Sequence, residues 1–155
     1  MQSTAEPMEA AMKTFKHILV PTDFEATSGE VLDVAIGLAK AFGAQLTLLH
    51  VWEIPIYPYM EFMLNSEVIT SVEERAVKRL ASGLEKVREV LPDADSKLMT
   101  GVPWGGILEA INECKPDLVV MGTHGRRGVD HLMLGSIAEK VVRLSPVPVL
   151  TVRAK

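Results

Sequence analysis

The densest run of residues able to do chemistry lies between positions 122 and 136: Gly122-Thr123-His124-Gly125-Arg126-Arg127-Gly128, six further residues, then Gly135-Ser136. Glycine lets a backbone take positive φ and come close to a ligand. A helix opening at Gly135-Ser136 would add free N–H groups and the positive end of its dipole. Phosphate needs both. The run is neither the GxxxxGK[ST] of a P-loop nor the GxGxxG of a dinucleotide site. A second candidate is Asp23, after Pro21-Thr22. No nucleophile and base are paired by spacing, so no catalytic residue is assigned, and no Cys/His cluster has zinc spacing.

The elements that must position these residues follow from the apolar pattern. Short aliphatic runs predict strands at His17–Val20, Leu46–Val51, Leu118–Met121 and Val147–Val152, with a weaker run at Ser96–Thr100. Helical spacing connects Val31, Ala35, Ala39 and Phe42, then Val68, Val72, Ala76, Leu80, Leu84 and Val87, then Ile107, Leu108 and Ile111, then Ile137, Val141 and Val142. Thr27-x-x-Glu30 and Ser136-x-x-Glu139 fit capping boxes. Gly43 fits a helix C-terminus, and Pro92 and Pro116 follow the second and third helices. Strands alternating with helices predict an α/β protein with a mainly parallel sheet. In such sheets ligands sit beyond the carboxyl ends of the strands, near the switch in strand order. That rule selects Pro21-Thr22-Asp23, Val51-Trp52-Glu53 and the segment from Gly122.

The chain has 155 residues, 48% of them hydrophobic and only 5% aromatic, so its core must be aliphatic. We expect a tail over residues 1–14 and one domain over 15–155. A formal net charge of −4 gives no reason to expect nucleic acid or anionic membrane as partner. The single cysteine excludes an intrachain disulfide and suits a reducing compartment. No apolar run approaches the ~20 residues of a membrane span, and residues 1–12 do not read as a secretory signal. The expected location is the cytoplasm.

The spacing Gly122-x2-Gly125-x9-Gly135-Ser136 is similar to the G-x2-G-x9-G-[S/T] signature of the ATP-binding branch of the universal stress protein family. Ile18–Asp23, Leu48–Val51, Gly101-Val102-Pro103 and Pro146–Leu150 resemble other landmarks of that family, so the likeness covers roughly residues 15–153. It implies an open five-stranded parallel sheet of order 3-2-1-4-5 with helices on both faces, a Rossmann-like, adenine nucleotide alpha hydrolase-like fold. It also implies an adenine nucleotide as ligand: ATP, with AMP or ADP as alternatives and Mg²⁺ as a companion. The backbone around Pro21 and Val51 would border the adenine, and Thr22 would also belong to the nucleotide site. Asp23 would lie near the ribose, or near the phosphates through Mg²⁺. Gly122, Thr123, His124, Gly125, Arg126, Arg127 and Gly128 would wrap ribose and phosphates. Gly135, Ser136, Ile137 and Ala138 would present a helix N-terminus to the phosphates. The strand Val147–Val152 would pair two copies as a homodimer. Nothing carries over to Glu53–Asn65.

Plainer readings stand beside these. Ser136 can be a helix N-cap, worth about 1 kcal/mol, and Asp23 a turn residue. Arg126 and Arg127 can be solvated. His50 reads as a satisfied core histidine, Cys114 as a small buried hydrophobe. Glu73, Glu74, Arg75, Lys78 and Arg79 read as the solvated face of a helix, with Glu74–Lys78 as a pair. The functional readings are a nucleotide-binding stress protein acting through conformation or partners, a slow ATP-hydrolysing enzyme, and a dimeric interaction module without nucleotide.

Overall fold

The computed structural model describes residues 14–54, 66–124 and 133–154. The elements run β1 (His17–Pro21), α1 (Ser28–Phe42), β2 (Gln45–Trp52), α2 (Ser66–Arg88), β3 (Asp95–Thr100), α3 (Pro103–Cys114), β4 (Leu118–Gly122), α4 (Ser136–Leu144) and β5 (Val149–Val152). The five strands form one sheet of order β3-β2-β1-β4-β5, and every neighbouring pair is parallel. This is the expected fold, including the strand Asp95–Thr100, the weakest of the five in the sequence. The last strand begins at Val149 rather than Val147. Ser145 bonds both the N–H and the carbonyl of Val147 through its hydroxyl, which makes a turn there, and Pro148 has no N–H to give a ladder.

Strand alternation divides the core in two. Ile18, Val20, Leu46, Leu48, Leu118 and Val120 point to the face covered by α1 and α2. Leu19, Leu49, Val119 and Met121 point to the face covered by α3 and α4, where Ile107, Ala110, Ile111, Ala138 and Val141 meet them. The three inner strands β1, β2 and β4 are therefore apolar on both sides, as a parallel sheet between two helical layers requires. At the amino ends, the Asp117 carboxylate accepts from the backbone N–H groups of Lys16 and His17 at 2.8 and 3.1 Å, tying β4 to β1. Cys114 ends α3 only partly buried.

The α2 stripe is only partly core. Ala76, Leu80 and Val87 are buried, but Val68 is 41% exposed. Length explains this. At 1.5 Å per residue the 23 residues of α2 span about 34 Å, whereas the 8 residues of β2 span about 26 Å. The first turns of α2 therefore outrun the carboxyl end of the sheet. Glu74 and Lys78 form no ion pair. The ion pairs among the described residues include Lys97–Glu113, joining β3 to α3, and Glu139–Arg143 along α4.

Candidate functional site

The strand order reverses between β1 and β4, and the paired register of those two strands ends at Leu19 and Val119. Beyond that point lies a cleft of about 970 Å³, at the upper end of the range for small-molecule sites. Pro21, Thr22, Asp23, Val51, Gly122, His124, Gly135, Ser136, Ile137 and Ala138 all line it. Residues separated by more than a hundred positions are thus gathered at one edge of the sheet. Thr123 stands beside them. Its N–H donates to Val152 O at 3.1 Å, its carbonyl accepts from Gly135 N–H at 2.7 Å, and its hydroxyl bonds His124 Nδ1 at 2.9 Å. Gly125, Arg126, Arg127 and Gly128 lie outside the described residues.

The turn leaving β1 is tightly held. Thr22 N–H donates to Leu49 O at 2.8 Å, and the Thr22 hydroxyl accepts from Phe24 N–H at 3.1 Å. The Thr22 carbonyl lies 2.8 Å from His50 Nδ1, which must carry the proton because a carbonyl only accepts. His50 is 5% exposed, so it is the satisfied core histidine expected. Asp23 is both a turn residue and an element of the cleft. Its Oδ1 accepts from Glu25 N–H at 3.0 Å and from the Ser28 hydroxyl at 2.8 Å. Both bonds fall on one oxygen, which leaves Oδ2 for a bound group. Phe24 has φ 60°, a sterically costly conformation for a bulky residue. It is wedged between His50, with ring centroids 4.9 Å apart, and Gly83, where a methyl would stand 2.8 Å from Phe24 Cε1. Strain held this firmly beside a cleft is a mark of functional turns.

The opening of α4 corrects the expected capping box. Gly135 occupies the N-cap with φ −61° and ψ 156°, and Ser136 is the first helical residue, with no side-chain cap. The first intrahelical bond runs from Glu139 N–H to Gly135 O at 2.9 Å. The N–H groups of Ser136, Ile137 and Ala138 precede it and lack helical acceptors. The box at Thr27 fails as well. Thr27 is already in helical conformation without a cap bond, and the next hydroxyl, Ser28, is spent on Asp23. Gly135 is required by proximity: a Cβ there would lie 2.9 Å from Thr123 O and 3.3 Å from His124 Cα. Gly122 differs, since a Cβ would make ordinary contact with Val31 and His124 O. The protein's own packing does not demand glycine at 122. At Gly106, on α3, a Cβ would stand 2.6 Å from Val51 Cγ1, so this glycine lets α3 close on the end of β2.

Among the described residues, two buried side-chain polar atoms lack partners: His124 Nε2 and Trp52 Nε1. Orphans of this kind are rare, and a ligand is one way they are satisfied. The cleft also contains charges that the sequence pattern did not reveal. Arg75 and Arg79 are exposed, as expected of a solvated face, and they also line the cleft from α2, together with the carboxylates of Glu25 and Glu53. The missed signal is local. The positions three and four away from Arg75 are Ser71, Val72, Lys78 and Arg79, and those around Arg79 are Arg75, Ala76, Ser82 and Gly83, so neither arginine has an acidic neighbour on its helix. Among the described residues no group of three or more His, Cys, Asp or Glu side chains could hold a metal. An ion would need oxygens brought by a ligand, with Asp23 as the protein's contribution.

Comparison with known proteins gives a consistent result. The model of the universal stress protein family matches residues 14–153. A universal stress protein of Thermus aquaticus is 37% identical over 139 residues, covering 90% of this chain and 99% of its own. The solved universal stress protein UspA from Lactobacillus plantarum superposes with a TM-score of 0.78 at 25% identity, covering 91% of this chain and 99% of that one. More distant structures share the fold. One is a universal stress protein in complex with cAMP, with a TM-score of 0.62 at 24% identity and coverage of 92% and 100%. Another, from Arabidopsis thaliana with AMP bound, has a TM-score of 0.65 at 16% identity and coverage of 90% and 92%.

Proposed function

The chain belongs to the universal stress protein family, and from that membership we propose that its cleft binds an adenine nucleotide, ATP by preference, with AMP or ADP as alternatives. The observation that carries this reading is the docking of Gly135 on Thr123 O, which brings the free N–H groups of Ser136, Ile137 and Ala138 to the exit of β4. Three such donors at the positive end of a helix suit a phosphate. The apolar walls at Pro21, Leu49, Val51 and Ile107 suit a base. The relatives crystallised with cAMP and AMP support adenine as that base.

In this reading His124 Nε2 and the loop from Gly122 to Gly128 meet ribose and phosphate oxygens, and Asp23 Oδ2 meets the ribose or a Mg²⁺ ion carried by the phosphates. Such an ion would neutralise phosphate charge. The protein acts in a stress response through nucleotide-dependent conformation or partner binding, in the cytoplasm. No helix among the described residues is long and apolar enough to cross a membrane. Two copies pair through β5, which lies at the edge of the sheet with Leu150 39% exposed; an uncovered edge invites a further strand.

A thermal-shift titration tests the binding. ATP at about a hundred times its dissociation constant adds ~2.7 kcal/mol, which raises Tm by roughly 5–10 °C for a chain of this size. The absence of any shift at millimolar ATP, ADP or AMP refutes the reading.

A further inference from the structure

The cleft is wider than one phosphate site, and its two ends lie on opposite sides of the sheet. Ala138 and Val141 place α4 on the face that carries Leu19, Leu49 and Met121. Leu80 and Val87 place α2 on the other face, with Ile18, Val20 and Leu48. Alternation along β2 puts Trp52 on the α2 side, in phase with Leu46 and Leu48. The α2 end of the cleft is lined by Leu32, Trp52, Val72, Arg75, Ala76 and Arg79. It is an apolar wall with two guanidinium groups and one indole, and the carboxylates of Glu25 and Glu53 line the same cleft.

Three features there remain unexplained by the nucleotide. Arg75 and Arg79 are one helical turn apart and form no ion pair with any carboxylate among the described residues. Like charges at this spacing weaken a helix unless something answers them. Trp52 is 7% exposed, and its Nε1–H, which can only donate, has no acceptor. The buried indole lacks an acceptor, and the two guanidinium groups, exposed at the mouth of the cleft, are free to turn to an anion. Phosphates docked at Ser136–Ala138 are on the far side of the sheet and leave this demand unmet.

We infer that the α2 end of the cleft is a second binding site, for an amphiphilic anion whose carboxylate or phosphate head meets Arg75, Arg79 and Trp52 Nε1 and whose apolar body lies along Leu32, Val72 and Ala76. The inference rests on the nucleotide reading only in assigning the α4 end to phosphate. Arginine forks favour such oxyanions bidentately, and burying the apolar body beside them adds affinity that a bare ion lacks.

Isothermal titration of the intact protein with octanoate and with monooctyl phosphate, each with and without saturating ATP, tests this. Acetate and inorganic phosphate serve as head-group controls. At least one amphiphile binds in both conditions and more tightly than its control; which one binds separates carboxylate from phosphate heads. R75Q/R79Q weakens that binding by about tenfold or more, while ATP affinity stays within about twofold, as expected for sites that share no partners. W52F, which keeps the apolar body and removes the donor, weakens it about fivefold. G135A keeps amphiphile binding while weakening ATP about tenfold or more, so failure of the nucleotide site is distinguishable from failure of this one. Three results overturn the inference: neither amphiphile binds at millimolar concentration; binding is unchanged in R75Q/R79Q; or R75Q/R79Q lowers ATP affinity about tenfold, which would assign the arginines to the nucleotide.

Discussion

Replacing Gly135 with alanine isolates the feature on which the proposed phosphate binding depends. The backbone at Gly135, φ −61° and ψ 156°, is open to any residue, so alanine meets no dihedral penalty. By restricting the unfolded chain alone it would stabilise by ~0.4–1 kcal/mol. The methyl, however, arrives 2.9 Å from Thr123 O and 3.3 Å from His124 Cα. Both are backbone atoms of the β4 exit, and Thr123 is itself pinned to Val152 O at 3.1 Å. The first turn of α4 must therefore back away by a few tenths of an ångström, stretching the 2.7 Å bond from Gly135 N–H to Thr123 O. Overpacking of this kind typically destabilises by ~1–3 kcal/mol, which leaves a net loss of ~0–2.5 kcal/mol and a protein that still folds. Binding suffers more. Each hydrogen bond to a charged group contributes ~1.5–3 kcal/mol, so misplacing even one of the donors at Ser136, Ile137 or Ala138 weakens ATP by about 10- to 150-fold. Titration calorimetry with ATP, alongside urea unfolding of the free protein, separates the two effects. Unchanged ATP affinity in a folded G135A would refute the argument, because the close approach would then have no consequence at the ligand.

Three further outcomes are expected. G106A, which sets a methyl 2.6 Å from Val51 Cγ1, destabilises by ~1–3 kcal/mol, and V51A relieves it. A double-mutant cycle by urea unfolding should give a coupling of ~0.5–3 kcal/mol, and strict additivity would show that α3 and β2 adjust independently. D23N weakens ATP by about tenfold in Mg²⁺ and by less in EDTA; equal loss in both conditions would exclude a metal role for Asp23. K97M removes the partner of Glu113. The hydrogen bond that Lys97 donates to Glu113, more than the Glu113 charge, raises the Lys97 pKa above its usual value. A raised folded-state pKa means the contribution is fully present below the ordinary lysine pKa and fades as pH rises through the elevated one. The stability difference between K97M and the parent should be at most ~1 kcal/mol at neutral pH, since the pair is largely solvated, and should vanish in strong alkali; a difference that grows with pH contradicts the pairing.

Much of this architecture is legible in the sequence because aliphatic strands and helical stripes are strong, local signals. Ile18–Val20 and Leu118–Met121 could hardly be anything but buried parallel strands. The switch-point rule then directs attention to Pro21, Val51 and Gly122 without any knowledge of contacts. The details that escaped depend on distances between segments remote in sequence. Ser136 has the side chain of an N-cap, yet Gly135 takes that place because only glycine fits against Thr123 O. The Phe24–His50–Gly83 wedge joins three elements and has no sequence period. Arg75 and Arg79 are surface charge, as their pattern says, and only the packing of α2 shows that they also border the cleft.

One titration tests nucleotide binding in this cleft most directly. Purified protein, freed of bound nucleotide by unfolding and refolding, is titrated calorimetrically with ATP and then with GTP as a control for the base. Saturable one-site binding of ATP, abolished or strongly weakened in G135A and preferred over GTP, is the predicted result. Equal binding of both nucleotides, or no binding of ATP at millimolar concentration, contradicts it.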